Sequence, residues 1–253
     1  MGSTAVSLII LACVFSSALF GMCLRAALPD HHISEASLSV VKLATGLIAT
    51  LSALVLGLLI SSAKGSFDRI NSELVDNAAK VVTIDRALAD FGPETRPLRE
   101  KMKHDYTALV GLLTSGDPVQ LAKLGTPASM RMMEDLHAEF WRLEPHNDAQ
   151  RGLRQRALQL SGELASMRSL MLLQKDGSVP MPLLAVLVTW LVIIFASFGL
   201  CAPRNYTTVG ALLVSSICAS AAIFLILEMD RPLEGFIRIS ATPLRAALAH
   251  LGL

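Results

Sequence analysis

Apolar and polar positions divide this chain into two regimes. Four stretches, Thr4 to Leu24, Leu43 to Ala63, Gly177 to Pro203 and Asn205 to Leu227, contain no Asp, Glu, Lys or Arg. Each is long enough to cross a bilayer core, which takes roughly 20 helical residues. Backbone groups in lipid have no water to bond to, so a helix, which satisfies them internally, is the expected form of each. Between the second and third stretches, residues 64–176 carry most of the charge and a different periodicity. The pattern predicts an all-α membrane protein with four transmembrane helices and a cytoplasmic helical bundle between the second and third. The predicted segments are 1–63 (the first two membrane helices), 64–176 (the bundle), 177–228 (the last two membrane helices) and 229–253 (an amphipathic tail).

The second span has no natural stop at the membrane. No proline occurs between Pro29 and Pro93, Ser34 is a candidate cap, and Gly92-Pro93 is a strong terminator. A helix over that range is roughly 85 Å long. Beyond Lys64, positions Phe67, Ile70, Leu74, Asn77, Val81, Ile84, Leu88 and Phe91 alternate by three and four, a heptad seam with one Asn. That seam must bury against sister chains or against later helices of the same block. Later helices are expected from near Glu94 to Thr114, from Thr126-Pro127 to Glu144, and from near Asn147 to Lys175. Asp176-Gly177 should end the last of these. In the tail, Thr242-Pro243 starts a short helix, which can lie along the headgroups or dock beneath the bundle.

Successive helical residues turn by about 100°, which sorts the second span into three faces. Gly46, Thr50, Ala53, Gly57 and Ser61 are all small; Leu47, Leu51, Leu54 and Leu58 are all leucine; Thr45, Ser52, Leu56 and Leu59 combine two hydroxyls with two bulky side chains. Small residues let helices approach closely in lipid, so the first face is expected to pack on a neighbour, with Ala211, Ser215, Cys218, Ala219 and Ala222 of the fourth span as its partner surface. The leucine face suits lipid. The third face is the candidate pore lining: around an oligomer axis it gives hydroxyl rings at Thr45 and Ser52 above a Leu56–Leu59 constriction. Its alternative is ordinary helix packing, with both hydroxyls bonded back to their own backbone.

Flanking charge orients the spans. Lys64, Arg69, Lys80, Arg168, Lys175, Arg231, Arg238 and Arg245 lie on one side, and only Arg25, Lys42 and Arg204 on the other. Both termini and the polar block are therefore expected in the cytoplasm, with the protein multi-pass in a cell inner membrane. Met1-Gly2-Ser3-Thr4 lacks the basic residues of a signal peptide, so the first helix is read as retained. Lys64 and Glu228, at matching depth, form a candidate interfacial ion pair. A net charge of +1 argues against a nucleic-acid partner. Cys13, Cys23, Cys201 and Cys218 all lie in or beside apolar spans and read as filler, not as disulfides or metal ligands. His31-His32 in the first loop, and the scattered His104, His137 and His146, have no metal-ligand spacing. There is no phosphate-binding loop, dinucleotide fingerprint or nucleophile elbow, so neither an enzyme nor a cofactor is expected.

Several motifs carry a family resemblance. Leu28-Pro29-Asp30-His31-His32, Lys42-Leu43-Ala44-Thr45-Gly46, Ala202-Pro203-Arg204-Asn205 and Leu227-Glu228-Met229-Asp230-Arg231-Pro232 resemble the bestrophin-like membrane family of bacteria and plants. The resemblance extends over essentially the whole chain. It implies the plan of bestrophins: pentameric anion channels with four membrane helices, the second lining the pore, and a helical cytoplasmic region. Two features depart from that plan. No aromatic residue lies between Leu43 and Ala63, where bestrophins narrow on bulky rings, and Glu228, Asp230 and Glu234 alone stand in for an acidic calcium-binding run. The expectation is a homo-oligomeric membrane ion channel, passing inorganic ions through a pore lined by the second helix. The alternative is a non-conducting scaffold or signalling module whose cytoplasmic bundle binds a partner.

Overall fold

The computed structural model describes residues 2–28, 35–173, 179–230, 235, 237 and 239–252. Among them every regular element is helical: α1 (Ser3–Ala27), α2 (Glu35–Phe91), α3 (Arg96–Ser115), α4 (Pro118–Ala122), α5 (Pro127–Arg142), α6 (Asp148–Leu173), α7 (Met181–Cys201), α8 (Tyr206–Met229) and α9 (Thr242–His250). Short 3₁₀ turns at Pro93–Thr95 and Lys123–Gly125 lead into α3 and α5. Proline stands in the first turn of α3, α4, α5, α7 and α9, where its missing N–H costs nothing. Asn205 and Asp117 cap α8 and α4 by accepting bonds from Thr208 N (2.8 Å) and Val119 N (2.9 Å). The expected Ser34 cap, the His31-His32 pair, the Asp176-Gly177 stop and the tail residues Arg231, Phe236 and Arg238 lie outside the described residues. The short α4 has no counterpart in the sequence reading; Asp117-Pro118 supplies its cap and first turn.

Contacts divide the chain into two units: Met1–Ser66 with Gly177–Arg231, and Phe67–Asp176 with Pro232–Leu253. The first holds α1, the apolar part of α2, α7 and α8, and these are the four helices long and apolar enough to cross a membrane. Its centre is α1, which packs on both α7 and α8. The buried stripe Ser7, Ile10, Val14, Ala18, Gly21 and Met22 recurs every three or four residues and presents one face of α1. Against it lie Leu184, Leu187, Ile194, Phe195 and Gly199 of α7, and Leu212, Ile223, Ile226 and Leu227 of α8. Leu59 and Ala63 bring α2 into the same core.

In the second unit the heptad seam packs within the chain. Leu74, Val81, Ile84, Leu88 and Phe91 are buried, together with Met102 and Tyr106 of α3, Phe140 of α5, and Ala157, Leu160 and Leu164 of α6. Of the two fates open to the tail, docking on the bundle is the one seen: Leu244, Ala247 and Leu251 are buried in this same core. The end of α2 is closed by side chains. Thr95 Oγ1 donates to Leu88 O and Gly92 O, and Gln150 Nε2 donates to Phe91 O (2.6 Å). Gly92 has φ 148°, so glycine suits this terminator for a conformational reason.

Candidate functional site in the membrane unit

The three faces of α2 find distinct environments. Thr45, Ser52 and Leu59 are buried by their own chain and Leu56 is half-buried. Gly46, Thr50, Ala53, Gly57 and Ser61, assigned from sequence to helix packing, are all exposed within the chain, and a Cβ on Gly46 or Gly57 would meet nothing within 4 Å. Ala211, Ser215 and Cys218 of α8, the surface paired with them from sequence, are exposed as well. The leucine face is also open. The reason for the difference is physical. Periodicity separates the stripes of a helix, but which stripe is covered depends on where α7 and α8 lie, and all three stripes are compatible with burial.

The covered stripe is imperfectly satisfied. Ser52 Oγ is buried with no hydrogen-bond partner among the described residues. Thr45, one-sixteenth exposed at 6%, likewise has no bond, in contrast to Thr50, whose hydroxyl donates to Gly46 O at 2.9 Å. Thr45 lines a cleft of about 460 Å³. Its walls include Lys42, Gly46 and Ala49 of α2, Ser197, Phe198 and Cys201 of α7, and Leu212 of α8.

The opposite margins of the unit are held by charged groups. Arg25 donates to Cys201 O (3.0 Å) and Ala202 O (2.9 Å) at the end of α7, while Arg204 donates to Met22 O (2.8 Å) near the end of α1. Arg25 satisfies carbonyls that the C-terminus of α7 leaves open, and both arginines sit near the negative end of a helix dipole. At the other margin the buried Glu228 accepts a bond from the Ser3 hydroxyl, Ser220 Oγ donates to Ser7 O (2.6 Å), and Asp230 Oδ1 accepts from Val179 N (3.1 Å). Lys64, expected from sequence to pair with Glu228, is exposed on α2.

Sequence reading missed the tightest contact of the unit. Gly21 of α1 and Gly199 of α7 cross so closely that a Cβ on either would lie 2.0 Å from a backbone oxygen, Ala196 O or Ala18 O. The signal was present as Ala18-x-x-Gly21 and Ala196-x-x-Gly199, two small residues on one helical face in each span.

In the polar unit the main electrostatic feature is Asp85, 2% exposed. Arg99 donates to both its oxygens (2.8 Å each), and Gly252 N donates to Oδ2 (3.1 Å), so one carboxylate ties α2 to α3 and to the tail. Lys103 adds a bond to Leu251 O (2.8 Å). Burial pushes the Asp85 carboxyl up, but the bonds from Arg99 and Gly252 outweigh it and hold the group below the usual carboxylate range. Nearby, Tyr106 is pushed up to about 12 by burial, and its hydroxyl has no partner among the described residues. The folded state therefore keeps a proton that the unfolded tyrosine gives up near pH 10. Stability of this unit should fall as pH rises above about 10, and Tyr106→Phe should remove that part of the alkaline loss at no cost at pH 7. Denaturant midpoints of the two proteins between pH 7 and 11 check this; parallel curves would count against it.

The geometry now has a frame among known proteins. The family model for the Bestrophin-like domain matches residues 11–244. The chain belongs to that family. A bacterial bestrophin homologue from Klebsiella pneumoniae shares the fold of this bestrophin-like protein, with TM-score 0.57 and 15% identity over 96% of this chain and 97% of the other. No curated protein matches the sequence.

Proposed function

We propose that this bestrophin-like chain forms a homo-oligomeric ion channel in a cell inner membrane, with α2 around the axis and both termini and the polar unit in the cytoplasm. Bestrophins are anion channels, which makes chloride the first ion to test and five the expected subunit number. The observation that carries the proposal is the uncovered side of α2. In a ring whose subunits each pack α1, α7 and α8 outward, the lumen side of α2 is the one opposite its core stripe. Leu54 lies nine residues after Thr45, a half-turn away at about 100° per residue. Leu54 is 63% exposed and Leu47 65%, with the exposed Thr50 and Ser61 between and below them. The proposed lining is thus Leu47, Thr50, Leu54 and Ser61, in place of Thr45, Ser52, Leu56 and Leu59, whose stripe faces the chain's own core. Small residues on one flank of this lining, Gly46, Ala53 and Gly57, then allow close approach of a sister helix.

Leucine rings in a narrow lumen dewet and oppose ion passage. Leu54→Thr is therefore expected to raise chloride flux in proteoliposomes several-fold, with potassium flux recorded in parallel. An unchanged flux in Leu54→Thr and in Leu47→Thr would remove this lining. No flux at all from verified oligomer, across pH and calcium conditions, would favour a non-conducting scaffold whose polar unit recruits a partner.

A further inference from the structure

The cleft beside Thr45 is not used by the proposed lumen, since it opens on the opposite side of α2. Three observations bear on what it holds. Its volume of about 460 Å³ lies within the roughly 300–1,000 Å³ of small-molecule sites. Its inner walls, Ala49, Phe198 and Leu212, are apolar, whereas Lys42 stands at the end where α2 enters the membrane region. Between them Thr45, more than nine-tenths buried, presents a hydroxyl without a hydrogen-bond partner among the described residues. From Lys42 to Ala49 the wall runs roughly 10 Å along α2. Cation, free hydroxyl and apolar slot therefore follow one another in depth, in the order in which a lipid presents its anionic headgroup, its ester region and its acyl chain.

We propose that this cleft binds an anionic lipid, with the headgroup phosphate at Lys42, an ester oxygen accepting a bond from Thr45, and the start of an acyl chain between α2, α7 and α8. A lysine with its stem on apolar surface and its ammonium at headgroup level suits this arrangement. The apolar walls exclude a free anion as the full occupant, because inorganic phosphate would leave Ala49, Phe198 and Leu212 facing an unfilled slot.

The test is native mass spectrometry of the full chain, purified in neutral detergent and titrated with phosphatidylglycerol. Phosphatidylcholine and inorganic phosphate serve as competing probes. The expected result is saturable phosphatidylglycerol binding at one per chain, weakened about fivefold by Lys42→Gln. Thr45→Val should weaken it further, and Ala49→Phe, which fills the slot, should abolish it. Lys64→Gln, an exposed lysine further along α2, is the control and should bind as the unaltered chain does. Circular dichroism shows that each variant is folded; Lys42→Gln alters only an exposed side chain, so it keeps the test decisive if Ala49→Phe fails to fold. Equal binding of phosphatidylcholine, equal loss in Lys64→Gln, or unaltered binding in Lys42→Gln would overturn the proposal. So would displacement of the lipid by phosphate, which would mark a free-anion site, or dissociation of the oligomer by Ala49→Phe without lipid binding in the unaltered chain, which would mark the cleft as a seat for a second copy.

Discussion

Gly199→Ala is expected to disrupt the membrane unit, at a cost of about 3 kcal/mol, the upper end of overpacking penalties. The added methyl would lie 2.0 Å from Ala18 O and 2.9 Å from its carbon, with Met22 N at 3.0 Å. These are backbone atoms, so no rotamer change relieves the clash and α1 must move off α7. That separation also pulls Arg25 from Cys201 O and Arg204 from Met22 O, which lie just beyond the crossing. Gly21→Ala meets the mirror problem against Ala196 O. Because one separation relieves both, the double variant should cost less than the sum of the singles. Gly210→Ala in α8, where a Cβ meets nothing within 4 Å, controls for helix propensity and should be neutral or mildly stabilising. Thermal unfolding in detergent, followed by circular dichroism, measures all four. If Gly199→Ala matched Gly210→Ala, the close crossing would be wrong.

The second large effect concerns Asp85. Asp85→Ala leaves the Arg99 guanidinium, whose side chain is only 16% exposed, without its carboxylate, and frees Gly252 N. Removing one partner of a buried pair costs about 3–5 kcal/mol, because the other charge stays desolvated. Replacing both, as Asp85→Leu with Arg99→Met, should restore most of that stability, since the pair itself contributes little beyond a hydrophobic substitute. The same variants separate stability from tail docking. Gly252 N has lost its acceptor in both Asp85 variants, so limited proteolysis should release the C-terminal helix faster in the double variant too, even with stability regained. Asp85 also sets an acid limit. Its folded pKa is depressed, so its contribution is complete above the unfolded value of about 3.9 and is lost as pH falls through the lower folded value.

Much of this architecture was legible in the chain. Charge-free runs located the four membrane helices, and the proline-free interval from Pro29 to Pro93 foretold that α2 continues past its span; the helix observed is Glu35–Phe91. Thr126-Pro127 and Thr242-Pro243 marked α5 and α9 to within a residue, since caps and first-turn prolines act locally. The seam from Leu74 to Phe91 was visible as a heptad, with packing inside the chain the favoured reading, though its periodicity also allowed sister chains. The site was less legible. Thr45, Ser52 and Leu59 form one stripe by spacing, read from sequence as a pore lining; they are buried, and the α7 and α8 residues beside Thr45 are far away in sequence. Nothing in the spacing of Asp85, Arg99 and Gly252 announced that they meet.

The sequence by itself determined the long helices, their approximate extents and the separation of apolar from charged segments, because hydrogen bonding along a helix, capping and hydropathy depend on residues within a few positions of each other. Only the tertiary structure decided which stripe of α2 is covered, that α1 and α7 meet glycine to glycine, that the tail closes on Asp85, and that a cleft remains between Lys42 and Leu212. Each of these depends on how helices distant in the chain stack, and side-chain periodicity is the same whichever neighbour arrives.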